Sequence, residues 1–275
     1  MLFMIESERK QIIGLIKREV VPAIGCTEPI AVALCVAKAA ETLGVQPEKV
    51  EVLLSANILK NAMGVGIPGT DMVGLPIAIA LGALIGKSEY QLEVLKDCTP
   101  EAVEQGKQFI GEKRICISLK EDITEKLYIE VICKAADRIA KAVIAGGHTT
   151  FVYIATDNKT LLDKRQITNE EDEEELLELN LRKVYDFALT APLDEIRFIL
   201  DTARLNKAAA EQSFAGNYGH SLGKMLRGTY EHKVMGDSIF SHILSYTSGA
   251  CDARMAGAMI PVMSIYSRRC RPIPS

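Results

Sequence analysis

The sequence predicts an α+β protein, mainly helical, with a small antiparallel α+β subdomain inserted over residues 97–165. Three observations carry this expectation. Two blocks, before residue 97 and after residue 165, place Ala, Val, Leu and Ile at helical spacing. Between them lie short β-rich runs joined by tight connections at Glu121-Asp122 and Ala136-Asp137. The helical pattern then returns from Thr168 onward. The expected organisation is therefore 1–96, the N-terminal helical part; 97–165, the α+β subdomain; 166–264, the second helical part; and 265–275, a tail of different character.

Residues 6–21 put Ile12, Leu15, Ile16 and Val20 in an amphipathic helical pattern, and Pro22 is expected to end that helix. Gly25-Cys26-Thr27-Glu28-Pro29 reads as a turn, with Thr27 capping the next helix and Pro29 in its first turn. That helix, 29–43, is apolar nearly all round and should be buried. Residues 50–54 read as a strand. Residues 57–69 read as a glycine-dense loop whose backbone can approach a ligand closely. A second buried helix follows to about Ile85.

Thr99 is expected to cap a short helix with Pro100 at its first position. Residues 114–119, 127–134, 138–145 and 150–156 read as strands, with hairpin connections at Glu121-Asp122 and Ala136-Asp137. The acidic run 170–175 suits a solvated helix start, where acid is favoured by the helix dipole. Residues 193–214, 219–227 and 236–259 read as helices. Residues 265–275 are basic and proline-containing without periodicity, and are expected to be poorly ordered.

Composition narrows the function. The 275 residues carry a formal net charge of -4, so no global basic field recruits nucleic acid or an acidic membrane. No uncharged run reaches the roughly 20 residues a bilayer-spanning helix needs, and no secretory signal is visible. A soluble cytoplasmic protein is the expectation. The seven cysteines are odd in number, lack any C-x-x-C, and sit in a chain too large to need stapling. Structural disulfides and compact zinc or ferredoxin motifs are therefore not expected. A metal site would have to gather cysteines from distant positions.

Four segments carry groups suited to chemistry. Cys26 precedes a helix start, where unpaired N–H groups and the dipole favour the thiolate that ligates metal or attacks carbon; a buried inert thiol is the plainer alternative. In residues 60–70, Lys60 offers a cation, Asn61 a donor and an acceptor, and the glycines their amides, which suits an amino acid or phosphate. The stretch is neither a Walker loop nor a dinucleotide fingerprint, and a structural connection explains it equally well. His148, between two strands beside Gly146 and Gly147, can bind a carboxylate, shuttle a proton, or only hydrogen-bond in its loop. Residues 248–258 form a small-residue helix suited to close packing. Within it, Asp252 and Arg254 can pair, or Arg254 can face a substrate carboxylate, while Cys251 suits the core better than a ligand role.

These segments together resemble the iron–sulfur L-cysteine desulfidase family, relatives of the serine dehydratase α-chain. Gly25 to Pro29 resembles the family's N-terminal signature, and residues 60–70, 146–149 and 255–264 resemble further family segments in the same order. The resemblance implies a mainly helical serine-dehydratase-α-like domain with the inserted subdomain. It implies α,β-elimination of L-cysteine to sulfide, ammonia and pyruvate, or of L-serine by the same mechanism. A [4Fe-4S] cluster held by three cysteines leaves one iron open as a Lewis acid. On this likeness Cys26 is the first cluster ligand, Lys60, Asn61, Thr149 and Arg254 hold the substrate, and His148 serves binding or proton transfer. After Ser264 the family continues with a region supplying the other two cysteines. Here residues 265–275 differ, so the chain is expected to be C-terminally truncated, to hold no stable cluster and to lack activity. Exposed apolar helix faces would then favour association, including with itself. Two rivals remain: a pyridoxal-phosphate lyase built on Lys60, and a non-catalytic helical binding or assembly protein.

Overall fold

The structure, a computed structural model, describes residues 4–157, 159–165, 179–231 and 239–265. The acidic run 170–175, His232, Cys270 and all but the first residue of the expected tail lie outside the described residues. The protein is mixed helix and sheet, as the sequence predicts.

Helix α1 (Glu6–Glu19) is followed by strand β1 (Val20–Ile24). Pro22 therefore does not end a helix but sits inside a strand, opposite Met263. Helix α2 (Thr27–Leu43) buries almost its whole surface and ends on Gly44 in the left-handed conformation. Its N-cap is Cys26, not Thr27, because the backbone is still extended at Cys26 and already helical at Thr27. Strand β2 (Lys49–Leu54) leads to helix α3 (Ala56–Ala62), where a loop is expected from the glycines further on. The short strands β3 (Gly66–Ile67) and β4 (Met72–Val73) then pair, before helix α4 (Leu75–Leu84) and a 3-10 segment, Ser88–Glu93. Helix α5 (Pro100–Gly111) starts as its sequence requires: the Thr99 hydroxyl accepts from the Ala102 amide at 3.3 Å.

Strands β5 (Ile115–Leu119), β6 (Tyr128–Ala135), β7 (Arg138–Ala145), β8 (Phe151–Thr156) and β9 (Lys159–Asp163) join β2 in one sheet, in the order β5-β2-β6-β7-β8-β9. Only the β2–β5 pair is parallel. The Ala136-Asp137 connection is the expected tight hairpin, with Ala135 opposite Arg138. The Glu121-Asp122 connection is not. β2 lies between β5 and β6, so those two strands never meet. The sheet thus takes a central strand from ahead of residue 97. Alternation in β2 supplies it: Val50, Val52 and Leu54 are buried and their neighbours are not. Their side of the sheet packs on α2, which packs in turn on α4, and α4 on α5.

Helices α6 (Leu181–Thr190), α7 (Leu193–Ile196), α8 (Ile199–Ala215), α9 (Leu222–Glu231) and α10 (Ile239–Met255) form the second helical part, and α8, α9 and α10 pack on one another. Strand β10 (Pro261–Ile265) returns to pair antiparallel with β1. Asn206 of α8 fixes that strand by accepting from the Met263 amide at 2.8 Å. No described helix is long and apolar enough to cross a membrane.

On β6, Glu130 is only 5% exposed. It accepts from Tyr128 Oη at 2.6 Å and pairs with Lys120 at 3.1 Å and Lys141 at 2.6 Å. Burial alone would raise its pKa, but the bonds from Lys141, Tyr128 and Lys120 outweigh burial and hold it down at about 2. A depressed carboxylate stabilises the fold above its ordinary value of 4.5, and that stabilisation is lost as pH falls from 4.5 toward 2. The expected loss is about 3 kcal/mol across that window. Denaturant titrations of wild type and Glu130→Gln at pH 5 and pH 2.5 check this. The variant should be weaker at pH 5 and lose less on acidification.

Candidate functional site

Gly25 begins the site. Its φ of +80° is left-handed, and an added Cβ would lie 2.6 Å from the Pro68 ring. Glycine therefore permits both the turn and the seating of the 64–70 loop against it. On the other side of that loop, a Cβ on Gly66 would lie 2.4 Å from the carbonyl carbon of Ala256. Gly257, at φ +79°, returns the contact, and its carbonyl accepts from the Gly69 amide at 3.4 Å. The glycine loop is thus clamped between the start of α2 and the end of α10. Arg254, in the last turn of α10, adds a bond from Nε to the Gly25 carbonyl at 3.1 Å.

At the centre stands Glu28. Its Oε2 accepts from the Cys26 thiol at 3.0 Å and the Thr27 hydroxyl at 3.1 Å, and its Oε1 from Asn61 Nδ2 at 3.4 Å. His148, on the loop between β7 and β8, lies close enough for its charge to act on Glu28. Burial works to raise the Glu28 pKa, but its hydrogen bonds, led by Cys26, and the field of His148 leave it below the usual carboxylate value. The Cys26 thiol goes the other way. Burial first, then its bond to Glu28 and the charge of that carboxylate, push it up to about 12. Burial also lowers the His148 pKa, with Glu28 pulling up and Arg254 pulling down. Above the lowered His148 pKa the arrangement is a carboxylate, a protonated thiol and a neutral imidazole, and the pull of His148 on Glu28 acts only when that ring is protonated.

The structure therefore brings together Cys26, Asn61, His148 and Arg254, each from a different segment singled out by sequence. Thr149 adjoins His148 and is half-buried. Lys60 is not gathered in. It is exposed on α3, one residue from Asn61, and makes no hydrogen bond or ion pair among the described residues. Asp252 does not pair with Arg254 but accepts from the Gly223 amide at the start of α9, at 2.8 Å. Cys251, expected in the core, is exposed, because α10 turns it away from its packed side. Glu28 was missed as a site residue. It lies inside the Gly25–Pro29 motif, but an acid in a first helical turn is explained by the helix dipole alone. A larger cavity of about 560 Å3 between Ser55 and the 119–126 turn shares none of these residues.

Of the other described cysteines, Cys98 lies by the glycine loop, its thiol 4.0 Å from the Gly69 carbonyl. Cys35 is buried under the sheet, its thiol pointing at the Ala142 and Ile129 carbonyls at 3.4 and 3.8 Å. Cys133 is buried as well. Among the described residues, no group of three His, Cys, Asp or Glu side chains could hold a metal ion.

The chain is similar to a UPF0597 protein of Bacteroides thetaiotaomicron, 88% identical over 261 residues that make up 95% of this chain and 61% of that protein. A UPF0597 protein of Bacteroides fragilis is 81% identical over 261 residues, and one of Porphyromonas gingivalis 48% identical over 265, each again matched over 61% of its length. The chain thus spans about three fifths of the curated relatives it matches. No family model matches the chain, and no solved structure matches it.

Proposed function

We propose, from the resemblance of its motif segments to the L-cysteine desulfidase family and the geometry around Glu28, that the chain carries the amino-acid site of a desulfidase: a carbon–sulfur lyase converting L-cysteine and water to sulfide, ammonia and pyruvate. The observation that carries the reading is convergence. Cys26, Asn61, His148 and Arg254 come from four separate stretches and meet around one buried-side carboxylate. The implied architecture is the serine-dehydratase-α type.

That reading implies a [4Fe-4S] cluster with three cysteine ligands. Among the described residues no three His, Cys, Asp or Glu side chains could hold a metal ion together, so these residues do not by themselves fit such a cluster. Arg254 spends one N–H on Gly25 and keeps its remaining donors for a substrate carboxylate. Neutral His148 is suited to take the α-proton. The freed electron pair forms the Cα=Cβ bond as the Cβ–S bond breaks and sulfide leaves. Glu28 stabilises the imidazolium so formed. The aminoacrylate released adds water to give ammonia and pyruvate. L-serine would follow the same path with a poorer leaving group.

The test is anaerobic reconstitution with iron and sulfide, followed by an iron count and a sulfide-release assay on L-cysteine. It should be run on this chain and on the Bacteroides thetaiotaomicron protein. Sulfide release by the longer protein, lost when its cysteine matching Cys26 becomes Ala, is the expected result. Release unaffected by that change would sink the reading.

A second reading is favoured by one observation. Leu181, Leu193, Ile239 and Phe240 are 85%, 78%, 81% and 67% exposed. Large apolar side chains left this exposed suit contact with another molecule. Micromolar protein is expected to sediment as more than a monomer, and Phe240→Glu to shift it toward monomer.

A further inference from the structure

A cavity of about 390 Å3 opens beside the site. It is lined by Val21 and Pro22, on the strand that leads into the Gly25-Cys26 turn, by Thr149, which follows His148, and by the run Tyr90 to Glu93. Within that run Leu92 is buried in the core, and Gln91 breaks the 3-10 segment, at φ 51° and ψ −124°. A non-glycine residue rarely holds that conformation, and such strain clusters where a ligand is gripped.

The chemistry of the lining is one-sided. Glu93 is its only charged side chain. It is half-buried and makes no hydrogen bond or ion pair with any described side chain. A half-buried carboxylate facing a cavity without a partner calls for a cation. We infer that this cavity is an ammonium subsite: it takes the amino group of a small L-α-amino acid against Glu93. The inference deepens the elimination reading and rests on it for the identity of the ligand.

Titration calorimetry on the chain as it stands tests it, with L-cysteine, cysteamine, which lacks the carboxylate, and 3-mercaptopropionate, which lacks the ammonium. L-cysteine and cysteamine should bind, and 3-mercaptopropionate at least tenfold more weakly than L-cysteine. Glu93→Gln should weaken L-cysteine at least tenfold and leave 3-mercaptopropionate unchanged. Gln91→Gly, which relieves the backbone, should keep its preference for the amine. Equal L-cysteine affinity in Glu93→Gln, or no heat with any probe, overturns the subsite. The two proposals fail separately. Amine-dependent binding without sulfide release in the longer relative removes the elimination and keeps the subsite. Sulfide release with KM unmoved by the change matching Glu93→Gln removes the subsite and keeps the elimination.

Discussion

Gly66→Ala should lower the melting temperature by roughly 10 °C and pull the site apart. The added methyl would sit 2.4 Å from the Ala256 carbonyl carbon, 2.5 Å from its oxygen and 2.8 Å from the Gly257 amide nitrogen. All three are backbone atoms, so no side chain can swing away. Either β3 or the end of α10 must move, and overpacking of this kind costs about 3 kcal/mol. Moving α10 also drags Arg254 off the Gly25 carbonyl. Gly64→Ala is the control: it lies in the same loop with nothing within 4 Å of an added Cβ. A calorimetric scan in which both variants melt with the wild type would show that the clamp is not tight.

The second large effect is on Cys26. A thiol at about 12 instead of 9.0 carries about a thousandfold less thiolate at pH 8. Iodoacetamide should therefore label Cys26, which is buried and held protonated, far more slowly than exposed Cys116 and Cys251. Burial is the main cause, but the Glu28 hydrogen bond and charge are next. Glu28→Gln removes the charge and should speed labelling of Cys26 at least tenfold, as roughly one pKa unit would. Peptide mapping by mass spectrometry over pH 7 to 10 reads this directly. Labelling of Cys26 at the rate of Cys116 would mean the thiol is not held as described.

Much of this was legible before any coordinates. The buried helix α2 follows from unbroken apolar residues, and α5 from Thr99-Pro100 at its start. The Ala136-Asp137 hairpin follows from two strand-like runs flanking a tight polar break. What failed was long-range pairing. Nothing near Glu121-Asp122 reveals that β2, about seventy residues upstream, will slip between β5 and β6. Nothing in Val20 to Ile24 announces a partner at Pro261 to Ile265, and Pro22 argues against a strand altogether. At the site, cysteine and histidine drew attention because few plain roles explain them there. Glu28 did not, since its position already had an ordinary explanation. Lys60 drew attention by charge and turned out to face outward, because a one-residue step on α3 turns the side chain by about 100°.

The β1–β10 ladder sets a timetable for biosynthesis. Val20 finds its partner only when Ile265 has been made, which at 5–20 residues per second is on the order of 10 to 50 seconds after Val20 itself. Throughout that interval β1, which leads into the Gly25-Cys26 turn, stands without the one strand it pairs with among the described residues, so this ladder is completed only after the rest of the described fold has been synthesised.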